Sequence, residues 1–298
     1  MNSYQPTIIV DVDPELSFET NGVLRKIFNF FAIPLLNSLP KNLRGVVKNT
    51  HKSAKNIIEK ATSHAAIEIL YKDGQPELSK SIIERFFYNI WFTTSNPKAV
   101  RNRLKIVERE LRKALNHLIS IHLKNDVRIL SVASGSARAI VDGIKGKSFS
   151  PLSLHITLLD KSEEALNYSR SLVGSANFPD NFSFRWVSGT ANSFPEFFQS
   201  EKPDIIETVG LMDYFNDEQV LRFFTTVFEN LSENGIFITA NISDNPERKF
   251  VTDLVGWKMI YREPESFIEL AKKAGFDTKN IKIYYEPLQI HFVMVVQK

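Results

Sequence analysis

Five small residues in a row, Ala133-Ser-Gly-Ser-Ala137, follow the apolar, β-rich run Val127–Val132. Behind them Arg138-Ala-Ile-Val-Asp-Gly-Ile144 reads as the start of a helix. Small side chains let a ligand lie against the backbone, and a helix N-terminus offers free N–H groups. A carboxylate, Asp160, closes the next apparent strand. There it can accept hydrogen bonds from two ribose hydroxyls. The pair therefore points to a nucleotide-like ligand at the edge of an open α/β sheet. Each feature also has a plain structural use. The turn, with alanines where two glycines might stand, packs a helix on a strand, and Gly135 serves that packing. Asp160 can cap a helix starting near Ser162.

Further along the chain, Asp213 and Tyr214 follow the fourth strand of an alternating series, at the mouth of the same pocket. Asp213 can hold a substrate, order its loop or cap the helix from Asp217. Trp257, Tyr261 and Arg262 are spaced by about one helical turn and can share a face. Arg262 can grip a carboxylate with two parallel bonds, or pair on the surface with Glu263 or Glu265. The run Phe86-Phe-Tyr-Asn-Ile-Trp-Phe92 is either a lid over an apolar substrate or a core helix. Arg101 and Arg103 can reach a ligand carboxylate, but read first as a solvated helix face. The six histidines show no metal-ligand spacing, so no metal is expected; His155 and His291 fall in predicted strands. The Gly-x-Ser-x-Gly elbow of hydrolases is absent around Ser134.

The elements that must position these groups fall into two parts. Residues 1–126 read as mainly helical, with segments over 24–36, 53–71, 76–91 and 96–123. Asn96-Pro97 supplies an N-cap and a proline in the first turn of the last of these. From Val127 the rhythm changes to strand–helix alternation, which argues for a parallel sheet with crossover helices. Strands are predicted at 127–132, 153–159, 182–187, 204–208 and 235–241. Helices are predicted at 137–144, 162–172, 217–231 and 263–274. Two closely spaced runs, 281–285 and 289–297, read as a terminal antiparallel hairpin.

Composition narrows the classes. The 298 residues are 43% hydrophobic and 24% charged, enough for a sizeable core. The chain has no cysteine, which excludes disulfides, thiolate metal sites and cysteine nucleophiles. The net charge of +3 is split between a basic N-terminal half and an acidic remainder. That basic half can attract an anionic substrate or membrane surface, or simply present solvated helix faces. No nucleic-acid-binding signature accompanies it. The start is acidic rather than a basic signal segment, and the apolar run 27–39 is too short and interrupted to span a bilayer. A cytoplasmic protein with no integral membrane segment is the expectation.

This order of features resembles a class I S-adenosylmethionine-dependent methyltransferase over about residues 97–298. Such enzymes carry the turn around the cofactor's methionine part where Ala133, Ser134, Gly135, Ser136 and Ala137 stand. Asp160, followed by Lys161, falls at the ribose-binding acid. Ser188-Gly-Thr-Ala191 follows the third strand, which implies that Thr190 and Ala191 lie near the adenine amine. Val209 and Gly210 open the loop beside the reacting methyl, so that Asp213 and Tyr214 would be the catalytic pair and Tyr214 would wall the methyl. The sequence departs from the family at Ser131 and Thr190, where acids are usual, and at Ala133 and Ala137, where glycines are. A narrower resemblance, to bacterial methyltransferases of hydroxy-fatty-acid methyl ester biosynthesis, rests on Gly210-Leu-Met-Asp-Tyr-Phe215, Ala240-Asn-Ile-Ser and Trp257-Lys-Met-Ile-Tyr-Arg262.

The resemblance implies a Rossmann-like seven-stranded α/β sheet with an antiparallel terminal hairpin, in residues 96–298. Residues 1–95 would form a helical cap, or a substrate-binding or dimerisation domain. It implies S-adenosylmethionine as cofactor, S-adenosylhomocysteine as product and a small-molecule or acyl acceptor, with carboxylate O-methylation as the narrower reading. Trp257, Tyr261 and Arg262 would bind the acceptor, and an alcohol or phenol acceptor would need a base, with Asp213 or His291 available. Two alternatives remain at this stage. An NAD(P)-dependent oxidoreductase shares the first turn and the acid; a non-catalytic cofactor-binding protein shares the fold.

Overall fold

The computed structural model describes residues 6–43, 63–72, 94–120, 125–147, 149, 152–198 and 201–298. The aromatic run 86–92, the helix expected over 76–91 and the first part of that over 53–71 lie outside these.

One sheet of eight strands organises the molecule. In chain order the strands are β1 (Thr7–Val10), β2 (Asp126–Val132), β3 (Ser153–Asp160), β4 (Phe182–Ser188), β5 (Ile205–Thr208), β6 (Ile236–Ile242), β7 (Ile281–Tyr285) and β8 (His291–Gln297). Their spatial order is β1-β7-β8-β6-β5-β2-β3-β4. All pairings are parallel except those of β8 with β6 and β7, so the closing hairpin is antiparallel as expected. The seven expected strands are β2–β8, and an eighth, β1, extends their sheet. Thr7-Ile-Ile-Val10, read as part of a helical region, pairs in parallel with β7 and forms the sheet edge. The run is β-branched and apolar, as strands prefer, but its partner lies at the other end of the chain, where no local signal reaches.

The main helices are α1 (Val23–Ser38), α2 (His64–Tyr71), α3 (Ser95–Ser120), α4 (Arg138–Ile144), α5 (Glu163–Gly174), α6 (Asp217–Asn230) and α7 (Pro264–Lys273). Their starts follow local chemistry. Ser162 caps α5 by accepting from the Ala165 N–H, and Asn216 with Gln219 forms a reciprocal capping box on α6. Pro264 sits in the first turn of α7, where its missing N–H costs nothing.

Hydrophobic clusters cover both sheet faces. Ile106, Val107, Leu111 and Leu115 of α3 join Ile140 and Val141 of α4 against Ile129, Leu154, Ile156 and Leu158. On the other face Phe223, Phe224 and Val227 of α6 and Phe267 and Ile268 of α7 meet Leu130, Ile206, Phe237 and Phe292. Each fully buried side chain of this size contributes about 1.5–3 kcal/mol. The layers fix the strand ends. From β2 the chain proceeds outward through β3 and β4, then returns to β5 on β2's other side. Adjacent loops leave the sheet in opposite directions there, which opens a crevice at the strands' carboxyl ends.

Candidate active site

A cavity of about 710 Å³ occupies that crevice. It is lined by Ala133, Ser134, Gly135, Ser136 and Ala137 after β2, Asp160 and Lys161 after β3, Thr190 and Ala191 after β4, and Val209, Gly210, Asp213 and Tyr214 after β5. Trp257 lines it as well. Every residue read as cofactor-binding or catalytic in the sequence is thus brought to one space.

The turn after β2 is built for close approach. Ala133, Gly135 and Ala137 all have positive φ, at 53°, 55° and 58°. Alanine pays about 1–2 kcal/mol in that region, so two of these three conformations are imposed by the surroundings. The Ala137 N–H donates to the Ser134 carbonyl, and the Ser134 N–H to the Leu159 carbonyl on β3. Asp160 completes the hold: its Oδ2 accepts from the Gly135 N–H at 2.8 Å and its Oδ1 from the Ser162 N–H at 2.8 Å. A carboxylate oxygen accepts more than one bond, so Asp160 braces the turn while keeping acceptor capacity toward the cavity. Among the described residues Ser134 Oγ, buried beside this turn, has no hydrogen-bond partner, so the cradle holds a polar atom that a ligand can satisfy.

Below the turn lies a buried polar cluster. Arg103 of α3 is 3% exposed and lines the cavity, against the solvated face expected for it. Its Nη1 stands 3.6 Å from Asp213 Oδ2 and 3.4 Å from His291 Nδ1. Burial works against its charge, yet Tyr71 and Asp213 bind the proton more firmly than on a free arginine. Asp213 Oδ1 accepts from the Ile242 N–H at 2.9 Å, and its backbone carbonyl accepts from the Ile260 N–H. Burial raises the Asp213 carboxyl above its ordinary range, with Arg103 opposing. Both carboxylate oxygens are therefore engaged in holding the loop and Arg103. Burial keeps His291 in its neutral form, well below the usual imidazole range, and Arg103 adds to this. Arg101, by contrast, pairs with Glu19 and binds the Leu70 carbonyl. His155 lies on β3 bonded to Ser183, away from the cavity.

The substrate trio divides. Residues 257–263 form no helix after the π-helical turn Val251–Val255. The Ile260 and Arg262 N–H groups donate to the Asp213 and Ile242 carbonyls. Trp257 lines the cavity and Tyr261 and Arg262 do not, so the three do not share the face that their spacing offered. Trp257 faces the cavity and its Nε1 donates to Tyr214 Oη at 2.6 Å. Burial holds the Tyr214 phenol far above its ordinary range, so it remains neutral. Tyr261 stacks under Arg248 at 4.5 Å and Arg262 lies 5% exposed, both outside the cavity lining. The Arg262 guanidinium binds Asp217, Asn241 and the carbonyls of Met212 and Phe215. That is a clamp between β6 and the loop after β5, in place of the carboxylate grip or surface pair read from the sequence.

The lining also carries an apolar cluster, Ile67, Leu70, Val100, Phe250, Val251, Val255 and Met259, against which Tyr214 and Trp257 pack, with the polar Thr94, Asn96 and Glu247 in the same wall. Sequence reasoning ranked the ligand-facing reading of Arg103 second and missed Glu207, His64 and Tyr71 as lining residues. Two of the four carried a signal: Arg103 shares a helix face with Val100 and Val107, and Glu207 interrupts the apolar run of β5.

Residues 62–297 match a family model described as "Putative methyltransferase". A comparison with curated proteins finds no match. Among solved structures, a protein of Bordetella parapertussis described as a possible exported protein superposes with a TM-score of 0.64 at 15% identity, over 95% of this chain and 91% of that one. The CurJ carbon methyltransferase gives 0.54 at 13% identity, over 82% and 66%. Magnesium protoporphyrin IX methyltransferase from Synechocystis, with S-adenosylmethionine bound, gives 0.51 at 7% identity, over 83% and 97%. At these identities the likeness shows a shared fold.

Proposed function

The chain belongs to the methyltransferase family that its residues 62–297 match, and on that footing we propose that it transfers a methyl group from S-adenosylmethionine to a lipid-like carboxylate. The observation that carries this reading is the continuity of the cavity. The backbone cradle with Asp160, the buried Arg103 and the apolar side chains of Val100, Phe250, Val251 and Trp257 all line one space.

The cofactor supplies an electrophilic methyl on a cationic sulfur. Asp160 accepts from the ribose hydroxyls while it fixes the Gly135 N–H. Ser134 Oγ, which has no partner among the described residues, gains one from the ligand. Thr190 and Ala191 border the base. The chain's own task is then to align an acceptor and exclude water. The apolar wall of Val100, Phe250, Val251 and Trp257 takes the body of the acceptor, and Arg103 draws its carboxylate inward. A carboxylate is ionised at neutral pH and needs no base. This agrees with Asp213 being engaged as a brace and Tyr214 being held neutral.

The narrower placement, among enzymes of hydroxy-fatty-acid methyl ester biosynthesis, is part of this proposal. Its motif residues divide between the cavity wall at Trp257 and the clamp at Arg262. So is the division at residue 95. His64, Ile67, Leu70 and Tyr71 reach the cavity from the N-terminal side, as a cap would, although β1 joins the sheet. Among the described residues no helix is long and apolar enough to cross a membrane. The test is methyl transfer from radiolabelled S-adenosylmethionine to medium- and long-chain fatty and hydroxy-fatty acids. Label in a base-labile ester supports the reading. Label only in amines, or on carbon, refutes the carboxylate.

A further inference from the structure

Glu207 is a carboxylate that the cradle described above does not use. It interrupts the apolar β5, is 4% exposed and lines the cavity. Its register partner on β2 is Ser131, whose Oγ donates to Glu207 Oε2 at 2.5 Å; on β6 it is the apolar Ile238. Among the described residues the Ser131 bond is the hydrogen bond this carboxylate makes, and no lysine or arginine lies within ion-pair distance. The cation that faces it, Arg103, is paired with Asp213 and stands against His291. Tyr71 also faces Glu207, and Tyr214 faces Arg103 and Asp213. A buried carboxylate on a cavity wall, supported by a hydroxyl rather than a cation, is a receptor for a cation from the ligand.

Position tells which cation. Ser131 stands two residues before the turn that begins at Ala133, and Glu207 two residues before Val209. β2 and β5 are neighbours at the reversal of strand order, so a ligand lying along the turn between these loops passes over Glu207, which lines the cavity. The S-adenosyl amino acid has two cationic centres, a sulfonium and an ammonium, of which only the ammonium donates hydrogen bonds. A carboxylate beside a hydroxyl oxygen offers acceptors to such a donor. Resting on the methyltransferase reading, we propose that Glu207, held in place by Ser131, is the receptor for the α-ammonium of the cofactor's amino-acid part.

A proton accompanies the event. Burial pushes the Glu207 carboxyl up to about 7, with Ser131 and Arg103 opposing. Below that pH the free protein holds Glu207 largely as the acid. An ammonium beside it favours the carboxylate, so the acid proton leaves to solvent as the ligand binds.

The experiment is calorimetry of S-adenosylhomocysteine binding to the full chain at about pH 6, in buffers of different protonation enthalpy, where the ligand amine is charged. The comparison ligand is 5′-methylthioadenosine, which lacks the amino-acid part. Expected is release of close to one proton with S-adenosylhomocysteine and none with methylthioadenosine. Glu207→Gln should abolish the release and weaken S-adenosylhomocysteine about 10- to 100-fold, the loss of a charged hydrogen bond. It should leave methylthioadenosine within about twofold, inside the spread of a surface-neutral change. No proton release in the wild type, or equal weakening of both ligands by Glu207→Gln, overturns the receptor. If the wild type binds neither ligand, the methyltransferase reading fails with it.

Discussion

Replacing Arg103 by leucine removes the guanidinium that neutralises Asp213 in the cavity floor. The two charges stand 3.6 Å apart, 3% and 4% exposed at their side chains. At an effective dielectric of about 20, Coulomb attraction at that distance is about 5 kcal/mol. Breaking a buried pair by removing one partner costs about 3–5 kcal/mol, because the other charge stays buried. The variant should therefore lose about 3–5 kcal/mol at pH 8, read by urea denaturation. Asp213→Asn keeps an oxygen to accept from the Ile242 N–H and should cost less. The double variant should recover about 2–4 kcal/mol of the sum, since contacting partners are not additive. The loss also has a definite sign with pH. Burial already raises the Asp213 carboxyl, and without Arg103 it rises further. A raised acid costs stability above its folded pKa and not below its unfolded one, so the Arg103→Leu deficit should shrink as pH falls toward about 4. A cost under about 1 kcal/mol at pH 8, or strict additivity with Asp213→Asn, would refute the pairing as the support of this floor.

Asp160→Ala removes the acceptor for the Gly135 and Ser162 N–H groups. It should weaken S-adenosylhomocysteine about tenfold or more, at about 1.5–3 kcal/mol per charged hydrogen bond; unchanged affinity in calorimetry would remove the residue from the site. Glu207→Gln should flatten the pH dependence of stability. The buried acid of about 7 costs the wild type stability as pH rises from its unfolded value through about 7, so the stability difference between the two proteins should be smallest near pH 4, grow up to about pH 7 and stay level above it. Gly275→Ala places a Cβ 2.8 Å from the Phe228 ring at φ +113°. Strain and overpacking together should cost about 2–4 kcal/mol, and a Tm within a degree of wild type would show that the ring yields freely. Trp257→Phe removes the donor to Tyr214 Oη. It should shift the KM for the acceptor more than that for S-adenosylmethionine, and the reverse order would move Trp257 out of the acceptor wall.

The α/β alternation from Val127 onward was legible because each strand there is a short apolar run bounded by turn residues. The segment Val127–Ile144 also shows its chemistry locally: small residues, then a carboxylate one strand later. What was not legible depended on distant partners. Thr7–Val10 is a strand because β7 pairs with it, and β7 lies at the far end of the sequence. Trp257–Arg262 has helical spacing but takes its backbone hydrogen bonds from Asp213 and Ile242. Gly256 in the left-handed region and Pro264 beyond were the available warnings. Arg262 looked free to meet a ligand; its four protein partners become visible only when β6 and the loop after β5 come together. Arg103 looked solvated because arginine on a long helix usually is. Its position between Val100 and Val107 on the buried face was the better guide.

The most direct measurement is calorimetry with S-adenosylmethionine, S-adenosylhomocysteine and NAD in parallel on the intact chain. The account predicts micromolar binding of the two S-adenosyl compounds and none of NAD. Binding of NAD alone would contradict it, and would assign the turn Ala133–Ala137 and Asp160 to a dinucleotide instead.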